Sequence, residues 1–198
     1  MRSIALPLLV ASLLVGGCAS MPGGAGTGEV SVSLAAAQSV AGEVEVASQS
    51  RPDQLLIAFS RVGLVPAVDG EVVELAFAGE LDLMEIDLLE LDPDAVTAFA
   101  ELHAVPAGVY AQVRLIVDGA TIRFGDDAYD VFVPSGAQSG LKMGIEPPLT
   151  VTDGAEYELT VFFDIDRAVV EAPPGSGRFI LKPTAIRVGN ATEAAEAD

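Results

Sequence analysis

Hydrophobic and polar residues alternate along most of this chain with the period of two expected of β-strands that bury one face. Val30, Val32 and Leu34 alternate with Ser31 and Ser33. Residues 55–65 form a longer apolar run, the pattern of a strand covered on both faces. Residues 72–77 predict another strand. Residues 81–91 alternate with Asp82, Glu85, Asp87 and Glu90, and their phase slips at Met84 as a β-bulge would make it. The cleanest stripe is Val109, Ala111, Val113, Leu115 and Val117, with Tyr110, Gln112, Arg114 and Ile116 on the opposite face. A second stripe runs Tyr157, Leu159, Val161, Phe163 and Ile165, with Glu158, Thr160, Phe162, Asp164 and Asp166 opposite. Residues 179–188 predict a last strand, in which Pro183 marks an edge or a bulge. Asp69-Gly70, Asp118-Gly119 and Asp153-Gly154 are turn signals between strands.

One segment reads as helical. Asp92 can cap an N-terminus, Pro93 suits the first helical position, and residues 94–102 would turn Val96, Phe99 and Ala100 inward. Pro106-Ala107-Gly108 would end that helix. About eight or nine short strands and one short helical excursion predict an all-β, two-sheet sandwich over residues 29–188.

The two ends follow other rules. Arg2 precedes an apolar stretch, residues 4–15, that is too short to cross a bilayer, for which about 20 residues are needed. A basic flank, a short apolar run and small residues at its end are the marks of a signal peptide. The end here, Val15-Gly16-Gly17-Cys18, resembles the lipobox of bacterial lipoproteins. That resemblance implies a signal peptide over residues 1–17, cleavage between Gly17 and Cys18, and diacylglycerol and fatty acyl chains on Cys18. One acyl chain holds a protein to a membrane only marginally, at about 0.8 kcal/mol per methylene, whereas two or three hold it in effect permanently. Ala19 stands where an inner-membrane retention signal would place Asp, which favours the outer membrane in a host that has one. The glycine-rich remainder of residues 18–28 is a flexible tether. Residues 189–198, with Glu193, Glu196 and Asp198, read as a disordered acidic tail.

Charge narrows the partners. Against 29 Asp and Glu there are 10 Lys and Arg, a formal net charge of −19. Such a field repels phosphate backbones and anionic headgroups, so nucleic acid is excluded as a partner and the membrane is reached only through the lipid. One cysteine, taken by lipid, leaves no internal disulfide, and with His103 the only histidine the usual zinc ligands are lacking. His103 alone makes a poor general base. Ser135, in Pro134-Ser135-Gly136-Ala137-Gln138-Ser139-Gly140, reads as a turn residue and not as a nucleophile. A non-enzymatic module is therefore expected. Two ligand classes remain as alternatives. Calcium takes hard oxygens, and Asp164 and Asp166 would share a strand face while Asp126, Asp127 and Asp130 cluster in a hairpin loop. Arg114, Arg123 and Arg167 are the competing partners for those carboxylates. A glycan would need flat aromatic faces. There is no Trp, Tyr157 sits on an inward stripe, and only Tyr110 and Tyr129 are expected at the surface.

From about residue 55 to residue 188 the chain resembles the domain of unknown function 4382 family of bacterial and archaeal lipoproteins. Val105-Pro106-Ala107-Gly108-Val109-Tyr110-Ala111-Gln112-Val113-Arg114-Leu115 is similar to the family's "lpaGxYxqiRL". Val133-Pro134-Ser135-Gly136-Ala137-Gln138-Ser139-Gly140-Leu141-Lys142-Met143 is similar to "iPSgxqsGLKl". Phe163-Asp164-Ile165-Asp166-Arg167 and Phe179-Ile180-Leu181-Lys182-Pro183 are similar to "DFDxxkSi…YlLkP". The opening departs: where the family has a "TDAP"-like turn, Leu34 leads into Ala35-Ala36-Ala37-Gln38. The resemblance implies an immunoglobulin-like or transthyretin-like sandwich, anchored by lipid outside the cytoplasm, and it implies no activity. Apart from the resemblance, an envelope protein or a glycan is the partner expected of such a non-enzymatic module.

Overall fold

The computed structural model describes residues 26–37, 51–79 and 81–193. The signal segment, Gly17, Cys18, most of the tether and the tail beyond Glu193 lie outside the described residues. Thirteen strands are found among them. They are β1 (Thr27–Ala36), β2 (Gln54–Pro66), β3 (Val73–Leu75), β4 (Met84–Asp87), β5 (Thr97–Pro106), β6 (Gly108–Phe124) and β7 (Asp127–Phe132). After these come β8 (Leu141–Val151), β9 (Glu156–Phe163), β10 (Val169–Glu171), β11 (Phe179–Leu181), β12 (Ile186–Val188) and β13 (Thr192–Glu193). One sheet runs β12-β9-β1-β5, with β13 also on β9. The other runs β10-β11-β7-β6-β2-β3, with β4 on β2 and β8 on β6. Most pairs are antiparallel; β1–β9 and β11–β7 are parallel. The two-sheet sandwich expected from the alternation is the architecture observed.

The longest pair, β2 with β6, organises the larger sheet. Leu55, Ile57 and Phe59 of β2 are buried, but so are Val62 and Leu64. Strict alternation from Phe59 would instead bury Arg61. On β6, Val113, Leu115 and Val117 are buried, and beyond them Ala120 and Ile122. Each strand therefore needs one extra residue to restore its phase, and the slips face each other. Ala58 pairs with Gly119, Phe59 with Val117 and Arg61 with Ile116, leaving Ser60 and Asp118 unpaired. The Ser60 hydroxyl donates to the Asp118 carboxylate at 2.7 Å. Because each strand carries one bulge, the register is the same on both sides of the defect. This revises two expectations. The 55–65 run is one-sided and bulged, not buried on both faces. Asp118-Gly119 is no turn, because β6 continues through it to Phe124.

A further slip lies at Ala111, between the pairs Val65–Gln112 and Pro66–Tyr110. It turns Tyr110 inward, leaving it 4% exposed, and Val109 outward, 44% exposed. The expected face assignment of these two residues is thereby reversed. Where the chain passes from β5 in one sheet to β6 in the other, the Tyr110 hydroxyl donates to the Pro106 carbonyl at 2.9 Å. This is the arrangement of a tyrosine corner, a device of immunoglobulin-like sandwiches. Burial holds the Tyr110 phenol above its ordinary value of 10.0.

The core between the sheets is aromatic at one end. Phe59 of β2 meets Phe99 of β5 edge-on, with ring centroids 5.1 Å apart, and lies 6.5 Å from Phe163 of β9. Phe77 also meets Phe99, with ring centroids 5.1 Å apart. Such edge-to-face pairs contribute about 0.5–1.5 kcal/mol beyond the area they bury. A second cluster, Phe124, Tyr129 and Phe179, joins β6, β7 and β11.

The helix expected over residues 94–102 is not formed. From Thr97 on, those residues lie in β5, which pairs along β1. Asp92 does accept a backbone hydrogen bond, from Asp94 at 2.7 Å, so its carboxylate closes a local turn before the strand. Phe99 and Val105 are fully buried, whereas Val96 and Leu102 are exposed. A short helix carries little stability of its own, and pairing with β1 together with the Phe99 contacts outweighs the capping signal. The α-helix among the described residues lies elsewhere: α1, Ile165–Ala168, a single turn that takes Ile165 out of its expected strand. Near the end, Pro183 starts a 3₁₀ turn, Pro183–Ala185, that carries the chain from β11 in one sheet to β12 in the other. The single closing strand expected over residues 179–188 is thus two strands in different sheets.

Two predictions follow from the paired defect and the corner. Deleting Ser60 and Asp118 together leaves every native β2–β6 pair available, whereas either deletion alone leaves a one-sided bulge. In a double-deletion cycle measured by urea unfolding, the combined loss is expected to be smaller than the sum of the single losses by about 1 kcal/mol or more. Additive losses would contradict matched bulges. Tyr110→Phe removes the hydrogen bond to the carbonyl of the exposed Pro106, so a loss of about 0.5–1.5 kcal/mol is expected at neutral pH. The phenol's raised pKa means its contribution is complete below pH about 10 and fades as pH climbs through the folded-state value. Unfolding curves of the two proteins should therefore converge in strong alkali.

Candidate functional site

The outer face of the larger sheet carries a row of polar positions set between inward hydrophobics. Gly63 of β2 pairs with Glu74 of β3 on one side and with Arg114 of β6 on the other, and Arg114 pairs with Lys142 of β8. The alternation fixes their direction, since Val62, Leu64, Val113, Leu115, Leu141 and Met143 all point into the core. Arg61 stands one row along, opposite Ile116. Two segments rise as walls beside this row. Val72, ahead of β3, closes on Gly63, where an added Cβ would lie 2.8 Å from Val72 Cγ1 and 2.9 Å from the Val73 carbonyl oxygen. A side chain at position 63 would therefore fill the floor of the cleft. The loop ahead of β8 forms the other wall. Gly140 has φ of +72°, and a Cβ there would meet the Leu115 carbonyl oxygen at 2.7 Å and Arg114 Cγ at 3.1 Å.

The result is a cleft of about 140 Å³ between Val72 and the loop residue Gln138, with Arg61, Glu74 and Arg114 on its lining. Its electrostatics are unbalanced. Arg61 is satisfied by Glu74 at 3.3 Å. Arg114 Nε is enclosed and has no hydrogen-bond partner, and neither Arg114 nor Lys142 has an ion pair among the described residues. An enclosed donor left unpaired costs about 1–3 kcal/mol, more when it is charged. Like charges directly opposite each other on neighbouring strands add repulsion. The arrangement is suited to receive an anion, which would meet the part of Arg114 that lines the cleft and offset the repulsion between Arg114 and Lys142.

The loop ahead of β8 confirms the turn read at Ser135. Ser135 takes φ of 59°, and its carbonyl accepts from Ser139 and Gly140 at 3.1 and 2.8 Å. His103 lies in β5, opposite Val30, in the sheet that does not carry the Ser135 loop.

The carboxylates considered for calcium are dispersed. Asp164 and Asp166 do not share a strand face, because β9 ends at Phe163. Asp164 precedes α1 and lies 3.8 Å from Arg167, while Asp166 is in the helical turn. Phe124 pairs with Asp127, so Gly125 and Asp126 form a two-residue hairpin turn. Asp127 and Asp130 fall within β7, three apart, and so point to opposite faces. Among the described residues no three His, Cys, Asp or Glu side chains are grouped to hold a metal ion. The aromatic expectation for a glycan also changes. Tyr110 is buried in the corner, and Tyr129 is half-buried against Phe124 and Phe179. Tyr157, 8% exposed, borders a shallow groove with Pro147, Pro148 and Asn190.

From sequence alone Arg114 is a candidate partner for the Asp164 and Asp166 carboxylates, and Lys142 has no assigned role. The signal was present: each occupies a polar position inside a quoted motif, Arg114 between Val113 and Leu115 and Lys142 between Leu141 and Met143. What sequence does not give is the register that sets one opposite the other.

Among the described residues no helix is long and apolar enough to cross a membrane. No curated protein and no solved structure matches the chain. A family model does, and its match starts at Thr27, so it takes in β1 and the divergent opening as well as the segments whose resemblance was visible in the sequence. That model, described as a domain of unknown function (DUF4382), covers residues 27–183, and the chain belongs to this family.

Proposed function

We propose that this protein is a lipid-anchored β-sandwich of the cell envelope, held outside the cytoplasm and acting as a non-enzymatic interaction module. The observation that carries this reading is the run Val15-Gly16-Gly17-Cys18 directly after an apolar segment with Arg2 at its head. The position of the domain supports it. The first strand begins at Thr27, so only a few glycine-rich residues separate Cys18 from folded structure, and the sandwich hangs close to the bilayer. The net charge of −19 keeps the surface off anionic headgroups and leaves attachment to the acyl chains. The non-enzymatic part rests on the sequence, in which His103 is the only histidine and Ser135 reads as a turn residue. A ligand-binding role is favoured by one observation, the cation-lined cleft beside Arg114.

The anchor is tested by metabolic labelling with an alkyne fatty acid and by the intact mass of the mature chain. The expected wild-type product lacks residues 1–17 and carries diacylglycerol and fatty acyl chains on Cys18, and Cys18→Ser incorporates no label. A mature wild-type protein with an unmodified Cys18 thiol would overturn the anchor.

A further inference from the structure

We propose that the cleft between Val72 and Gln138 binds a carboxylate group, held by Arg114 with Lys142 as the second cation. The assignment deepens the ligand-binding reading above and starts from an imbalance. This chain carries far more acid than base, yet Arg114 and Lys142 face each other across β6 and β8 with no ion pair among the described residues. Arg114 Nε is enclosed and unpartnered. A guanidinium offers parallel N–H groups that match the two oxygens of a carboxylate. Lys142 is exposed and stands beside Arg114 on the neighbouring strand, where its ammonium adds a second positive charge next to the cleft. Gln138 lines the same cleft and supplies an amide that can donate to a ligand oxygen.

Charge selects among oxyanions. Glu74 lies on the lining, paired to Arg61, and the whole chain is strongly negative. Both repel a phosphate dianion more than a singly charged carboxylate. A cleft of about 140 Å³ admits such a group and a short stem but not a whole oligosaccharide or peptide, so the remainder of a ligand would lie on the open face. The carboxylate can come from an acidic sugar or from a peptide end.

The full-length chain in detergent micelles provides the test, read at the arginine Nε–Hε resonances by nitrogen–proton NMR. The probes are sodium D-glucuronate, sodium N-acetyl-L-alaninate, D-glucose and inorganic phosphate. At least one carboxylate is expected to move the Arg114 resonance saturably, and the tighter of the two identifies the source. Glucose is expected to leave it in place, and phosphate to bind more weakly. Arg114→Gln should abolish the shifts of neighbouring backbone amides. Lys142→Gln, at an exposed position, should weaken binding by about threefold to tenfold. No saturable shift with either carboxylate, tighter binding of phosphate, or unchanged titration in both variants would overturn the proposal. The titration does not depend on the acyl chains, so an unlipidated Cys18 with intact carboxylate binding contradicts the anchor alone. A lipidated chain without binding contradicts the cleft alone.

Discussion

The sandwich depends on a matched pair of defects in its longest strand pairing. β2 and β6 each carry hydrophobic residues in two out-of-phase blocks, and neither strand could bury both blocks as a regular strand. Each inserts one residue, Ser60 or Asp118, and the insertions face each other and are joined by a hydrogen bond of 2.7 Å. Because the two shifts cancel, strands on both flanks keep their partners: β4 and β3 on β2, β7 and β8 on β6. A single uncompensated bulge would re-aim one half of the sheet relative to the other. The aromatic contacts that join the sheets lie beside this point, since Phe59, next to the defect, touches both Phe99 and Phe163 of the opposite sheet.

The same strand pair positions both the Tyr110 corner and the Arg114 cleft. At one end of β6 the slip at Ala111 turns Tyr110 into the corner that fixes the crossing between sheets. A short way along, alternation resumes and directs Arg114 outward, opposite a glycine on one neighbour and a lysine on the other. The cleft is therefore a product of register. Gly63 leaves it open, Val72 and the Gly140 loop wall it, and the unpaired Arg114 Nε gives it its character.

Much of this was legible in the alternation, and the failures have identifiable causes. The β9 stripe from Tyr157 to Phe163 is buried as read, because nothing in that strand departs from a period of two. The helix read at residues 94–102 failed because a capping aspartate and a proline are local signals, and β1 supplied a partner that local signals cannot announce. Asp118-Gly119 has the composition of a turn and serves as a bulge; only the residue facing it across the sheet decides which. Tyr110 was read as exposed for the same reason, since a slip of one residue exchanges the faces of a strand. The spacing of Asp164 and Asp166 predicts one strand face, and the chain departs from it because β9 ends at Phe163. Arg114 and Lys142, far apart in sequence, become a site only through pairing.

The compensated register is thus the claim on which both the core and the cleft depend. It is read most directly by nuclear Overhauser contacts between backbone protons across β2 and β6. The account predicts Ile57 opposite Ala120 and Val62 opposite Leu115, with Ser60 and Asp118 both lacking a cross-strand partner. A ladder whose register differs by one residue between its two halves, or one that pairs Ser60 or Asp118 regularly, would contradict it.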